Sequence, residues 1–437
     1  MPLDYSQPEG STIEIALNRL PASDPAHRVG SLLVNPGGPG ASGVQFARDN
    51  IDLFSALSPY FDIVGFDPRG IGASTAIRCL SDSQFDTFND ADPVPDEPGE
   101  RQVLIDEAKA MANGCAQLSG KLLAHVDTVS AARDMDVIRR ALGETKLSYF
   151  GFSYGTYLGD TYAHLFPQHV RALVLDSVLD PSIDEATLVE VQAVGFEHDL
   201  DDYLASCVSQ PAGCPFQTAN PTAELTSFIE RVDRAPIAVG NRQLNSSLAL
   251  TGIFFTLYQS PSSWPLLSQA LGRAFAGDGG PLLEFADEYL DRDASGHYSN
   301  ELQANYAVNC LDHPAPTDLA YFDQRDQVLA KMAPILGPFV AYGDLPCAYW
   351  AVPPTGTPGP LEAPGAPPIV LVGNTGDPST PYVWAQAVHR QLHGSILITR
   401  TGDGHGGYPV SSCVQRLVNA YLINLVVPAD NQTCPSD

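Results

Sequence analysis

Ser153 stands between two glycines in "GFSYG", directly after the apolar run "KLSYF" and before a segment with helical spacing. A serine at the tip of a tight strand-to-helix turn has its hydroxyl lifted clear of the sheet, and the flanking glycines permit the close approach that such a turn needs. The pattern predicts a nucleophile elbow with Ser153 as nucleophile. Five residues make a common pattern, so the strand before it and the helix after it are its necessary context.

A serine hydroxyl is a weak nucleophile near neutral pH and requires a base, which in turn requires a carboxylate to orient it. Behind elbows of this kind the partners follow in the order Ser, acid, His, on loops after later strands. Asp377 in "LVGNTGDPSTP" and His405 in "ITRTGDGHGGY" fit that order. Asp403 shares the histidine's loop and suits a local backbone role, whereas Asp176, at the end of "LVLD", is an alternative acid. The other nine histidines lie on helices, beside earlier helices or in the middle of the chain.

Attack on a carbonyl creates an oxyanion, which two backbone N–H groups ordinarily hold. Tyr154, next after the nucleophile, supplies one. The "NPGGPG" stretch at Asn35–Gly40 supplies the other, through Gly38. A phosphate-binding loop is disfavoured because no GK[ST] follows.

Several elements must position these groups. "VGSLLVNPGGPGASG" and "YFDIVGFDPRGIGAS" each read as an apolar strand running into a glycine-rich loop, and "VQFARDNIDLFSALSPY" between them has helical spacing. "VSAARDMDVIRRALGETK" is amphipathic, with Ala131, Met135, Ile138 and Leu142 on one side. Strand and helix alternate through "RALVLDSV", which predicts an α/β fold with a mostly parallel sheet covered on both faces. From about Asp180 the text becomes helical without strands of that apolar quality, closes in "AVPPTGTPGPLEAPGAPP", and then returns to the sheet pattern. The expected division is a core over residues 1–179, a helical lid over 180–365 inserted between two strands, and the rest of the core over 366–437. No internal repeat is visible.

The 437 residues carry 23 basic against 51 acidic side chains, a formal charge of −28. A nucleic-acid backbone would be repelled. No run of 18 apolar residues predicts a membrane span. Eight cysteines include no CxxC and no cluster with His at metal-ligand spacing, so no metal is expected. They fall into four neighbouring couples and fit a disulfide framework in an oxidising compartment, although sequence cannot choose the pairing. The first residues lack the basic region and apolar stretch of a signal peptide, so secretion would imply a leader removed from this chain. "NSS" at Asn245 and "NQT" at Asn431 are acceptor sequons of little weight.

Together "PLDYSQP", "NPGGPGASG", "GFDPRGIGAS", "YFGFSYGTYLG", "GDPSTP" and "GHGGY" resemble the secreted tripeptidyl aminopeptidases of the α/β-hydrolase superfamily, relatives of proline iminopeptidases with a TAP-like C-terminal segment. The resemblance runs from residue 2 to about residue 415 and is weakest in the lid. It implies Ser153, Asp377 and His405 as triad, Gly38 and Tyr154 as oxyanion donors, secretion, and disulfides between neighbouring cysteines. "NPGGPG" departs from the "HGGPG" of proline iminopeptidases at its first positions but keeps the donor glycine.

An aminopeptidase must also hold a substrate ammonium at a fixed distance from the nucleophile, and carboxylates from the lid are the simplest means. Asp312 in "NCLDH" and Glu197 or Asp199 in "GFEHDL" are the candidates, while Thr380 is a residue that could face the site or support a helix start. The expectation is an exopeptidase acting on peptides with a free N-terminus, without cofactor. A carboxylesterase or lactonase using the same triad, and a catalytically dead hydrolase fold used as a binding module, are the alternatives. Oligomeric state is not legible.

Overall fold

Ten strands appear in the computed structural model, which describes residues 1–259 and 261–436. They are β1 (Leu17–Leu20), β2 (Gly30–Asn35), β3 (Phe61–Phe66), β4 (Leu147–Phe152), β5 (Val170–Asp176), β6 (Ile237–Val239), β7 (Arg242–Leu244), β8 (Val370–Gly376), β9 (Ile396–Asp403) and β10 (Gln432–Cys434). Eight form one sheet in the order β1-β3-β2-β4-β5-β8-β9-β10. Only β1 is antiparallel to its neighbour; the other pairs are parallel.

Every residue of β2, β3 and β4 is buried, as continuous apolar runs in a doubly covered sheet require. Alternate side chains feed two separate cores. Leu33, Val64, Tyr149 and Leu371 face one. Leu32, Ile63, Phe150 and Val370 face the other. The amphipathic segment forms the helix Thr128–Ala141, started by Asp127, whose side chain accepts the Ser130 N–H.

Two local expectations change. The helical spacing after β2 yields only the helix Gly43–Asp49, which Asn50 ends in a non-helical conformation before a tight turn at Ile51–Phe54. The segment between β5 and β8 is mostly helical but also contains the hairpin β6–β7. That insert has its own core, including Phe196, Leu225, Ile253, Leu271 and Leu336. Its helix Ser246–Tyr258 is apolar on nearly all sides because other helices surround it.

The N-terminal "PLDYSQP" docks on the loop after β3 through one fully buried cation. Arg69 donates to both oxygens of Asp134 at 2.7 Å and to the carbonyls of Pro2, Leu3 and His125. Tyr5 adds a 2.6 Å bond to the same aspartate. Four disulfides pair Cys79–Cys115, Cys207–Cys214, Cys310–Cys347 and Cys413–Cys434, each between neighbours in sequence. Among the described residues no helix is long and apolar enough to cross a membrane.

Candidate active site

Ser153 closes β4 and opens the helix Tyr154–Leu165 with φ 56° and ψ −128°, a left-handed conformation that a non-glycine residue adopts only when its surroundings enforce it. The Ser153 N–H donates to the Asp176 carbonyl at 3.0 Å, and the Ser153 carbonyl accepts from the Thr156 hydroxyl at 2.6 Å. Both bonds fix the backbone and leave the side chain at the turn's tip.

The loop after β2 lies directly against this elbow. A side chain at Gly37 would come within 2.6 Å of the Phe152 carbonyl oxygen and 3.1 Å of the Tyr154 nitrogen, so the approach requires glycine. Asn35 holds the loop by accepting the Gly37 N–H at 3.0 Å. The Gly38 and Tyr154 N–H groups are not engaged by any described residue. From the other side, the first turn of the helix Glu301–Asp312 presses on Gly40, and Asn305 donates to the Pro39 carbonyl at 2.9 Å.

Asp377 follows β8 and is buried, and His405 follows β9. The imidazole Nδ1 lies 2.9 and 3.0 Å from the two Asp377 oxygens. Burial pushes the Asp377 carboxyl up, but the imidazole and converging N–H and O–H donors outweigh it and hold the group below the usual carboxylate range. Burial likewise pushes His405 down, yet the charge and hydrogen bond of Asp377, with Asp176 behind, leave it above the ordinary imidazole value. The pair therefore favours a proton on Nδ1 and a basic Nε2.

Thr380 belongs to this constellation rather than to a separate pocket. Its N–H donates to Asp377 Oδ1 at 2.8 Å, its hydroxyl to Oδ2 at 3.0 Å, and that hydroxyl stands 3.4 Å from His405 Nδ1. Ser177, which the sequence did not single out, donates to Asp377 Oδ2 at 2.7 Å and accepts the Gly406 N–H at 2.8 Å. Asp176 does not touch the imidazole: it accepts the Gly407 and Tyr408 N–H groups at 2.9 and 2.6 Å. Burial pushes this carboxyl up to about 6 against those bonds. Asp176, the last residue of β5, and Ser177 just after it thus carry the elbow, the Asp377 carboxylate and the histidine loop at once.

The insert reaches into the same network. The His405 N–H donates to the Tyr258 carbonyl at 3.2 Å, and the Tyr258 ring stands edge-on to the imidazole at 5.8 Å between centroids. On the helix Glu185–Ser209, Gln192 donates to the Ser379 carbonyl at 2.8 Å, and Gly195 packs where a side chain would meet Pro378.

Of the carboxylates expected to meet a substrate ammonium, Asp312 and Glu197 are occupied otherwise, whereas Asp199 is buried without a hydrogen-bond donor among the described residues. Asp312 accepts the N–H of Thr128 at 2.9 Å and its hydroxyl at 2.5 Å, and Thr128 in turn bonds the Tyr154 hydroxyl, so Asp312 props the elbow from beneath. Burial pushes it up to about 7. Glu197 accepts the N–H groups of Ile335 and Leu336, satisfying the start of the short helix Leu336–Val340. A different carboxylate is open: Glu301, half-buried at the start of the helix that presses on Gly40, bonds no described residue through its side chain, and burial first, then Asp291, pushes it up to about 7. Its first-turn position reads in sequence as ordinary helix-dipole compensation, so no local signal marks it.

Residues 333–434 match the family described as TAP-like protein. Over 99% of this chain and 86% of the relative, the sequence is 39% identical to the serine protease Hip1 of Mycobacterium tuberculosis. It is 38% identical to carboxylesterase B of the same species, over 99% of this chain and 85% of that protein. To the tripeptidyl aminopeptidase of Streptomyces lividans it is 33% identical, over 99% and 82%. The chain belongs to the tripeptidyl aminopeptidase family of α/β-hydrolases and is a serine hydrolase.

Proposed function

We propose that the enzyme is a serine exopeptidase that removes short peptides, tripeptides foremost, from free N-termini. Ser153 Oγ attacks the scissile carbonyl carbon and passes its proton to His405 Nε2, while Asp377 holds Nδ1–H and balances the imidazolium. The oxyanion takes the Gly38 and Tyr154 N–H groups. Collapse expels the shortened chain as an amine protonated by His405. Water, deprotonated by the same imidazole, then releases the acyl peptide from Ser153.

The peptidase reading rests on Glu301. A desolvated carboxylate without a hydrogen-bond partner gains most from a cation, and this one sits on the helix that touches the oxyanion loop. The substrate ammonium is that cation. The four disulfides support an extracellular setting.

Release of a chromophore from a free tripeptide amide, its N-acetylated twin and a short-chain ester, by wild type, Ser153→Ala and Glu301→Gln, tests the reading. Ser153→Ala should abolish all turnover. Glu301→Gln should raise KM for the free peptide about 10- to 100-fold, the worth of a charged hydrogen bond, and leave the ester unchanged. Turnover of the ester alone would favour the second reading, a carboxylesterase, which the relative of that name supports.

A further inference from the structure

On the helix Glu185–Ser209, His198, Asp199 and Asp202 bring one ligand atom each to within 4.8 Å of one another. His198 and Asp202 are one helical turn apart, with Nδ1 and Oδ2 separated by 3.2 Å. Two ligands of a tetrahedral zinc ion, each about 2.1 Å from the metal, stand about 3.4 Å apart. The spacing suits an imidazole–carboxylate hydrogen bond equally well, so the pair alone decides nothing.

Asp199 distinguishes the cluster. It is only 2% exposed, its Oδ2 is sealed from solvent, and it accepts no hydrogen bond from any described residue. A native fold seldom buries a carboxylate without a donor or a cation. Donors are lacking, and the nearest charged groups besides His198 are acidic: Asp202 on the same helix, Asp403 on the histidine loop and Asp377. Asp403 also lies within electrostatic reach of His198 and Asp202. Carboxylates converging on one point with an imidazole supply the mixed N/O donor set that zinc or manganese prefers to calcium.

We propose that His198, Asp199 and Asp202 form a binding site for a divalent transition-metal ion, zinc foremost, at the seam between the helical insert and the histidine loop. The expectation of no metal was drawn from the cysteines and their spacing to His, and did not weigh a His-x3-Asp pair on one helix face. The ion lies outside the reacting atoms. It neutralises Asp199 and fastens the helix that packs on Pro378 to the neighbourhood of Asp403, two residues before His405.

The full chain, stripped with chelator and dialysed, is titrated calorimetrically with zinc chloride, alongside Asp199→Asn and His198→Ala. His198 is exposed, so its variant folds regardless of how the buried substitution fares. One equivalent should bind the wild type, each variant should bind about tenfold more weakly or worse, and zinc should raise the wild-type Tm but not that of Asp199→Asn. No binding to the wild type below about 1 mM overturns the site. Equal binding by both variants overturns it too, since zinc would then sit elsewhere, on His405 for example. If Asp199→Asn keeps zinc but raises KM for free peptides, the carboxylate belongs to the substrate and the metal proposal falls.

Discussion

Ser177 ties Asp377 to the loop that carries His405, donating to the carboxylate at 2.7 Å while accepting the Gly406 N–H at 2.8 Å. One hydroxyl therefore bridges the two loops whose carboxylate and imidazole bond each other. Its backbone φ of 60° is of the left-handed kind, like that of Ser153.

Ser177→Ala should lower kcat about 10- to 100-fold with little change in KM. The substitution removes a hydrogen bond to an ionised carboxylate, worth about 1.5–3 kcal/mol, that orients reacting groups rather than contacting substrate. Steady-state kinetics on a peptide amide, with circular dichroism to verify folding, measure it.

Asp176→Asn should move the acid limb of the kcat/KM–pH profile to lower pH. The Asp176 charge helps raise the His405 pKa, so its removal lets the imidazole stay deprotonated further into acid. The plateau should fall as well, because Gly407 and Tyr408 donate to different Asp176 oxygens and the amide replaces one of them with an NH2 that cannot accept. An acid limb that moves upward would refute the assignment of Asp176 as a negative charge behind the base.

Asp134→Ala should destabilise the fold by about 3–5 kcal/mol, the cost of leaving a buried guanidinium without its counter-ion. Arg69 is fully buried and is also the anchor for Pro2 and Leu3. The N-terminal segment should become protease-sensitive before the sheet melts, which limited proteolysis followed by mass spectrometry would detect.

Replacing both Cys413 and Cys434 by alanine should cost about 3 kcal/mol through the loop that the bridge closes, 21 residues apart in sequence. The three-residue strand β10 should lose protection in amide exchange, while activity below the new melting point should persist.

Legibility in the sequence follows the range of the interactions. The elbow, Asp377 and His405 are each announced by a strand immediately before them and by chain order, and the structure brings the last two into contact. Ser177 and Asp176 act across the sheet, because β5 lies between β4 and β8, and strand order is invisible in a linear text. Glu301 stands near the oxyanion loop only because a distant helix packs on Gly40. Conversely, Asp312 and Glu197 sit in suggestive strings, but backbone N–H groups and a threonine hydroxyl have claimed them. The strands β1 and β10 escape notice because three or four residues at a sheet edge carry no periodicity worth reading.

The bond from the His405 backbone N–H to the Tyr258 carbonyl ties the insert to the loop that carries the imidazole. Moving that part of the insert outward would break the bond and loosen the loop that holds the imidazole against Asp377. If the proposed peptidase reading holds, slender chain ends are the substrates that would demand no such movement, and selection by size would then act through the imidazole's own anchor.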